Sequence, residues 1–212
     1  DRENNLAGSC WMIIAMLGFA IEDSLIRLIS LSIPFGQVLF LFGLGGALIF
    51  AFFCKVQKQQ LFVKEVFSRP MIIRMFFELI GRLFYSLSLV LMPISLVTLV
   101  LQATPIFVVA GAALIFREFV GVFRWIAIFS GLLGVIFIIE PASDGFSPYV
   151  LFAVLGMLGF AGRDLGSRAA SPKLSYHHLG FYGFVAVMSA GIIFSVWANT
   201  TYVSFNIQTL TY

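Results

Sequence analysis

Long apolar stretches alternate with short polar breaks along the whole chain. A membrane-crossing helix needs about 20 mostly apolar residues, whereas a membrane β-strand needs only about 9–11 residues with alternating apolar positions. Seven stretches fit the helical requirement. They are Leu6–Leu28, Pro34–Phe53, Met71–Met92, Ser95–Phe116, Phe123–Ile139, Tyr149–Ala169 and Leu179–Ala198. The pattern therefore predicts an all-α integral membrane protein with seven spans.

The composition excludes a soluble protein. Hydrophobic residues make up 60% of the chain and charged residues 11%, against about 25% charged in an average soluble domain. The net charge of +3 is small and does not suggest a nucleic-acid partner. Cys10 and Cys54 both lie in apolar runs, so we expect no disulfide framework, no metal site and no cofactor. This composition therefore requires a lipid bilayer as the environment of the protein.

The basic residues of the connections indicate an orientation. They follow the even-numbered spans: Lys55, Lys58, Lys64 and Arg69 after the second, Arg117 and Arg124 after the fourth, Arg168 and Lys173 after the sixth. The connections at 93–94, 140–148 and 199–212 contain no Lys or Arg, and Arg27 is the single exception on that side. Basic loops stay in the cytoplasm, which places the N-terminus there. His177 and His178 lie beside the third basic segment, and we expect them to be ordinary solvated residues.

One stretch of the first span occurs again in the sixth. Residues 16–27 read MLGFAIEDSLIR and residues 157–168 read MLGFAGRDLGSR, with seven of twelve positions identical at a constant offset of 141. The alternative is coincidence between two hydrophobic helices. Charged residues are scarce in this chain, however, so the matches of Asp23 with Asp164 and of Arg27 with Arg168 favour a true repeat.

The repeat predicts an inverted architecture. Five spans fit within one repeat, and an odd number makes the second copy enter the membrane from the opposite side. Inverted repeats are typical of secondary transporters, with the substrate near the midplane between the halves. We therefore expect a first five-helix repeat over residues 1–141 and the start of a second, inverted repeat, with its first two helices, over 142–212.

The chain resembles a known family in several places. The segment PISLVTLVLQATPIFVVAGAALIFREFVGVFRWIAIFSGLLGVIFIIEP (93–141) is similar to the fourth and fifth helices of the EamA-like branch of the drug/metabolite transporter (DMT) superfamily. The residues that carry this likeness are Pro105, Phe107, Glu118, Trp125, Gly134, Val135 and Pro141. The first and sixth spans share its GFA-x-x-D-x-x-x-R pattern. The resemblance implies ten helices in two five-helix halves, a bacterial inner-membrane location, and export or import of small metabolites.

The chain departs from the family in its length. A second repeat of 141 residues is expected to end near residue 282, whereas the sequence ends at Tyr212 and begins with Asp1. We expect a fragment that lacks three further helices. Reading the coding frame beyond Tyr212 tests this expectation.

The first and sixth spans each carry an acid followed four residues later by an arginine. A charge within a span costs about 2.5–3.5 kcal/mol on insertion scales and marks a functional path or an internal ion pair. The spacing puts Asp23 with Arg27, and Asp164 with Arg168, on single helix faces. We expect these pairs to flank the outer and inner mouths of one pathway as gate or coupling residues. In the alternative, each arginine snorkels to its interface and the acid only pairs with it.

The third span carries charges at a helical spacing. Arg74, Glu78 and Arg82 recur every four residues, and Tyr85 and Ser86 continue the stripe. Arg82 lies roughly 16 Å along the helix, near the bilayer centre, so this face must turn towards the bundle or a cavity. The stripe has an excess positive charge, which suits a substrate with a carboxylate or phosphate. The alternative is a structural ladder of ion pairs.

Two further sets of residues are candidates. Glu22 and Arg163 occupy equivalent repeat positions with opposite charge, and we assign them to gating or coupling, with Glu22 as a candidate proton carrier. In the fourth span, Gln102, Thr104 and Pro105 lie mid-helix, where Pro105 frees a carbonyl that a Thr or water can satisfy. We expect these three to line the cavity together with Glu78, Arg82 and Tyr85. A kink that serves packing is the alternative.

The sequence therefore predicts a secondary-active transporter of a small polar metabolite, anionic or zwitterionic such as an amino-acid derivative, that works by alternating access. Protons or another ion would couple it, because no nucleotide-binding loop is present in the sequence. A membrane enzyme would need clustered His, Cys, Asp or Ser at one interface, which the spacing does not provide. A seven-helix receptor or non-transporting structural membrane protein is the remaining alternative. It would normally have an outside N-terminus and no repeat. The sequence does not decide between a monomer and a homodimer.

Overall fold

The computed structural model describes residues 2–30, 32–117, 119, 121–139 and 148–198, and these residues form helices and their connections without a β-strand. The helices are α1 (Arg2–Ile29), α2 (Phe35–Val56), α3 (Arg69–Leu91), α4 (Ile94–Leu101), α5 (Thr104–Ile115), α6 (Val122–Ile139), α7 (Val150–Ala169) and α8 (Tyr176–Trp197). A short 3₁₀ turn at Lys64–Phe67 precedes α3. The helical class predicted from the apolar stretches is confirmed.

Several helices begin where the local sequence specifies a start. Pro34 and Pro93 directly precede α2 and α4, and Pro70 lies in the first turn of α3. Proline fits these positions because the first N–H groups of a helix have no intrahelical acceptor. Ser175 begins α8 with a capping box in which His178 is the reciprocal partner.

The fourth apolar stretch is divided into α4 and α5 at Gln102 and Ala103. Pro105 has no N–H to donate to the carbonyl of Leu101, four residues earlier. The Thr104 hydroxyl donates a hydrogen bond to that carbonyl instead. The predicted proline kink and its threonine compensation are therefore confirmed.

Four helical segments are long and apolar enough to cross a membrane: Phe35–Val56, Ile94–Ile115, Val150–Ala169 and Tyr176–Trp197. Large apolar side chains also point outward along the bundle; Trp11 and Leu17 on α1 are 71% and 60% exposed. In a bilayer, such side chains face lipid tails. These features are those of a multi-pass membrane protein.

Two antiparallel helix pairs form the centre of the bundle. In the first, α2 packs on α8, with Gly36 against Ser195 and Gly46 against Phe184. In the second, α3 packs on α7, and backbone meets backbone at Gly81 and Gly159. Small residues allow such close approach in membranes, where van der Waals contact drives helix association. The α3 helix also contacts α8, which joins the two pairs.

The remaining helices pack around these pairs. The α4 and α5 helices lie on α7, and α6 lies on both α4 and α5. A buried apolar cluster fills the space between α3, α4 and α7, with Leu89, Val97, Val100, Ala153 and Met157 among its members. The α1 helix contacts α2.

The connection after α2 is fastened to the start of α8. The Nε2 of His178 donates to the carbonyl of Gln60 (2.9 Å), and the Ser175 hydroxyl donates to Gln59 Oε1 (2.7 Å). His177 packs between aromatic rings, with its ring centroid 6.0 Å from that of Phe53. Both histidines are buried. Our expectation of solvated histidines is therefore wrong, because the polar connection folds back over the helix start.

Some expectations lie outside the described residues. They include the predicted boundary between repeats at residue 141 and the family-like Glu118.

The α3–α7 contact supplies a test of the packing. A methyl group at position 159 would lie 2.3 Å from the Cα atom of Gly81, so Gly159→Ala must push the two helices apart. We expect it to lower the free energy of unfolding by about 1–3 kcal/mol, the usual cost of overpacking. Denaturation of the purified protein in mixed micelles, followed by circular dichroism, measures this.

Gly45→Ala is the matched control, since a methyl group on Gly45 of α2 would meet no atom of the described chain within 4 Å. Equal effects of the two substitutions would contradict the assigned contact.

Candidate functional site

An open cavity of about 150 Å³ lies among α1, α2, α3, α7 and α8. Its charged wall consists of Glu22, Arg74, Glu78, Arg82 and Arg163. Its apolar wall consists of Phe19, Phe42, Leu179, Gly180, Gly183, Phe184 and Val187. The cavity therefore places ionisable groups opposite aromatic and glycine-rich surfaces.

The charged residues of α3 lie on the inner face of the helix. Arg74, Glu78 and Arg82 are only 6%, 4% and 7% exposed. Residues four positions apart share one face of a helix, so burying one of them turns the others inward as well. The predicted inward orientation of this stripe is confirmed.

Ion pairs join this stripe to two other helices. Glu78 lies between Arg74 of its own helix (3.8 Å) and Arg163 of α7 (3.5 Å). Arg163 also contacts Asp164 at 2.9 Å. Arg82 contacts Glu22 of α1 at 3.4 Å. The network therefore draws its charges from both predicted repeats.

The network changes the charge balance that α3 alone suggests. Counted with Asp23 and Asp164, three guanidinium groups accompany four carboxyl groups in this part of the bundle. The excess positive charge of the α3 stripe is thus offset by acids from α1 and α7. The cavity lining itself holds three guanidinium groups and only two carboxyl groups, those of Glu22 and Glu78, so the expected excess of positive charge stays a prediction for the solute site.

Two arginine donors in this network have no acceptor among the described residues: Arg74 Nη1 and Arg82 Nε are buried and make no hydrogen bond. The Nε of Arg74, by contrast, donates to the Ser167 hydroxyl at 2.8 Å. A buried unsatisfied donor costs about 1–3 kcal/mol. An acceptor that entered the charged wall would recover part of that cost.

The Phe160 ring lies near two of the guanidinium groups. Its centroid lies 5.8 Å from the Arg82 guanidinium carbon and 5.0 Å from that of Arg163. Cations within about 6 Å of a ring centroid are attracted by the ring quadrupole. Phe160 therefore contributes a favourable contact to both arginines.

The predicted gate residues have contacts that the spacing did not indicate. Asp23 accepts a hydrogen bond from the Tyr85 hydroxyl (2.7 Å), while Arg27 is exposed. Asp164 contacts its neighbour Arg163, and Arg168 is exposed with its guanidinium 5.5 Å from the ring of Phe116. Asp23 thus has a partner from another helix, and Asp164 has its adjacent residue, in place of the arginine one turn away.

Other predicted cavity residues lie elsewhere. Gln102, Thr104 and Pro105 are at the break between α4 and α5, where Gln102 and Pro105 are exposed, and none of the three lines this cavity. Tyr85 is buried behind the charged wall, where it holds Asp23. The proline kink therefore shapes the helix without contributing to this site.

Sequence reasoning missed the apolar wall. Phe42, Gly183 and Phe184 carry no charge, and nothing distinguishes them within strongly apolar helices. The repeat offers one signal, because Phe42 and Gly183 are separated by the same 141 residues as Glu22 and Arg163, and all four line the cavity.

The fold and cavity define a class, that of all-helical multi-pass membrane proteins with a charged interior cavity. The family model described as the EamA-like transporter family matches residues 6–140. The chain belongs to this family. The resemblance seen in the fourth, fifth and first spans is therefore confirmed.

Curated relatives agree with this family. The chain is 23% identical over 195 residues to an S-adenosylmethionine uptake transporter of Rickettsia prowazekii (strain Madrid E), covering 91% of this chain and 66% of that protein. It is 29% identical over 180 residues to a riboflavin transporter of Vibrio cholerae serotype O1, covering 83% and 59%. The chain thus spans less than two thirds of the length of these relatives. No solved structure matches it.

The ion-pair network supplies a test of its structural role. Glu78→Gln removes the carboxylate that Arg74 and Arg163 share, which leaves the buried Arg74 without this ion pair and the half-buried Arg163 with Asp164 alone. We expect a loss of about 3–5 kcal/mol in the free energy of unfolding, as for other broken buried pairs. Unfolding in mixed micelles measures it.

Glu65→Gln is the matched control, because Glu65 forms its ion pair with the exposed Lys173 outside the bundle. This variant is expected to change stability little, since exposed pairs contribute little. A Glu78→Gln protein as stable as the control would contradict the network.

Proposed function

We propose that this protein is a secondary-active transporter that moves a small polar metabolite, anionic or zwitterionic, by alternating access. The cavity between α3, α7 and α8 is the solute site. Glu78 and Arg82 line it, with Arg74 and Arg163 as additional cationic groups. The observation that carries the proposal is this charged cavity within a bundle of the EamA-like transporter family.

The repeat geometry supports a transporter mechanism. The α2 and α8 helices both have 22 residues, and the bounds Phe35–Val56 and Tyr176–Trp197 differ by the repeat offset at each end. They run antiparallel, as equivalent helices of an inverted repeat must. Equivalent residues of both repeats line the cavity. In inverted-repeat transporters the substrate binds at the interface between repeats, near the bilayer midplane.

This geometry extends to the domain organisation. In our proposal the seven predicted spans are the five helices of the first repeat, residues 1–141, and the first two of the second, 142–212. In the same proposal the protein lies in a bacterial inner membrane with its N-terminus in the cytoplasm, and the basic connections support this orientation. The side of the bundle that carries Glu65 and Lys173 would then be the cytoplasmic one.

The relatives suggest which solutes to test first. Proteins similar to this chain are named for S-adenosylmethionine and riboflavin uptake. At 23% and 29% identity and with only part of their length covered, these names supply candidates for the assay and no more. A cavity of about 150 Å³ is smaller than the roughly 300–1,000 Å³ of typical ligand pockets. Our mechanism therefore includes opening of the cavity during the cycle.

Transport by variants tests the charged wall. With the product of the complete coding frame in liposomes, uptake of labelled S-adenosylmethionine and riboflavin is measured under an imposed proton gradient. We expect Arg82→Ala to lower uptake at least about tenfold, since the half-buried Glu22 left without this partner and the lost guanidinium both disturb the site. Arg69→Ala, at the exposed start of α3, is the matched control. Uptake that survives Arg82→Ala would refute the assignment of Arg82.

Asp23 tests the gating hypothesis. We propose that Asp23 with Arg27 and Asp164 with Arg168 flank opposite mouths of the pathway, and that the Tyr85–Asp23 hydrogen bond is one of the contacts exchanged between states. Asp23→Asn keeps an acceptor for Tyr85 but removes the titratable charge. We expect slower uptake and an altered pH dependence. An unchanged uptake rate with an unchanged pH profile would exclude gating by Asp23.

A further inference from the structure

Gly183 lies in the cavity wall formed by α8, facing the charged wall. A methyl group at this position would lie 3.4 Å from Arg74 Nη2, 3.7 Å from Glu78 Oε2 and 3.9 Å from Arg74 Nη1. These are ordinary van der Waals distances to side-chain atoms, and no backbone atom is among them. A side chain would therefore fit here, but only by occupying space beside Arg74 and Glu78.

Other glycines of α8 have a different environment. A methyl group on Gly191 would lie 2.4 Å from the backbone nitrogen of Phe40, and one on Gly180 would lie 2.5 Å from the ring of Phe50. Those two glycines allow α2 to approach closely. At Gly183, by contrast, the atoms nearest to such a methyl group belong to the side chains of Arg74 and Glu78, at ordinary contact distances. Close approach of a neighbouring helix therefore does not explain this glycine.

The equivalent residue of the first repeat has a large side chain where Gly183 has none. Phe42 precedes Gly183 by the repeat offset of 141 and also lines the cavity. Its ring packs edge-on against Phe184, with centroids 5.4 Å apart. The aromatic side chain therefore closes one side of the cavity, while the glycine leaves the side next to the charges open.

We propose that Gly183 is a specificity-determining residue: the absence of a side chain on this face of α8 sets the size of the solute group that can reach Arg74 and Glu78. This inference rests on the proposed function, because it takes the cavity as the solute site.

A labelling experiment tests the proposal without knowledge of the solute. Val187 lies one helical turn after Gly183 and also lines the cavity. Val187→Cys, made with Cys10→Ser and Cys54→Ala, supplies a single thiol there. The purified protein is treated with methyl methanethiosulfonate or with the larger benzyl methanethiosulfonate, and the rate of modification is followed by mass spectrometry. The readout is the ratio of the two rates.

Gly183→Ala and Gly183→Val are then introduced into this protein. We expect the reaction of the benzyl reagent to slow progressively, by about tenfold or more with valine, because alanine adds one carbon atom and valine three, and a single methylene changes discrimination in a pocket by about tenfold or more. The methyl reagent should change little. Gly45→Val is the matched control, since its side chain would enter open space on α2.

Three results would overturn the proposal: no reaction at Val187→Cys with Gly183 present, an unchanged rate ratio, or equal slowing of both reagents, which would indicate collapsed packing. The measurement requires no transport. A protein that shows the expected ratios but moves no solute in liposomes would refute the proposed function and leave the size-setting role of Gly183 intact.

Discussion

The buried carboxylate of Glu78 is the group on which the arrangement of the central helices depends. It lies in the interior of a bundle that presents apolar side chains outward, where an unpaired charge is costly. Its own helix supplies Arg74, whose contact is long at 3.8 Å, and α7 supplies Arg163 at 3.5 Å. Because the second partner comes from a distant part of the chain, Glu78 gains its shorter ion pair only when α7 packs beside α3.

The glycines of α3 and α7 make this compensation geometrically feasible. Gly81 and Gly159 let the two backbones touch, and Gly166 lies against the backbone of Arg74. At this separation the Arg163 guanidinium reaches Glu78, and the Ser167 hydroxyl reaches Arg74. Close packing and charge pairing therefore support each other, as expected where lipid offers neither water nor a hydrophobic driving force between helices.

The same network contains hydrogen-bond donors that have no acceptor among the described residues. Polar networks that are fully satisfied stabilise a unique core, whereas partly satisfied ones retain donors for another partner. Here Arg74 and Arg82 each keep one donor without an acceptor among the described residues, and Gly183 leaves space next to one of them. For a transporter this arrangement is useful, since a solute that completed the network would change the balance between conformations.

Much of the fold could be predicted from residue patterns, because lipid imposes long apolar helices and confines charges to particular faces. The helix positions, the proline break before Pro105 and the inward face of Arg74, Glu78 and Arg82 followed from spacing alone. A repeat could be predicted because Asp and Arg are rare within spans. The family resemblance rested on motifs in the fourth and fifth spans.

Only the tertiary structure decided which charges meet. Spacing paired Asp23 with Arg27, but α3 brings Tyr85 to Asp23. Arg82 of the α3 stripe forms an ion pair with Glu22 of α1. The buried histidines of α8 pack against the connection after α2, where His178 hydrogen-bonds the Gln60 carbonyl. The apolar wall, which includes Gly183, carried no charge or motif in the sequence, and its one signal was the repeat spacing of Phe42 and Gly183. The reason is physical: periodicity determines the face of a helix on which a residue lies, whereas its partner depends on which other helix packs there.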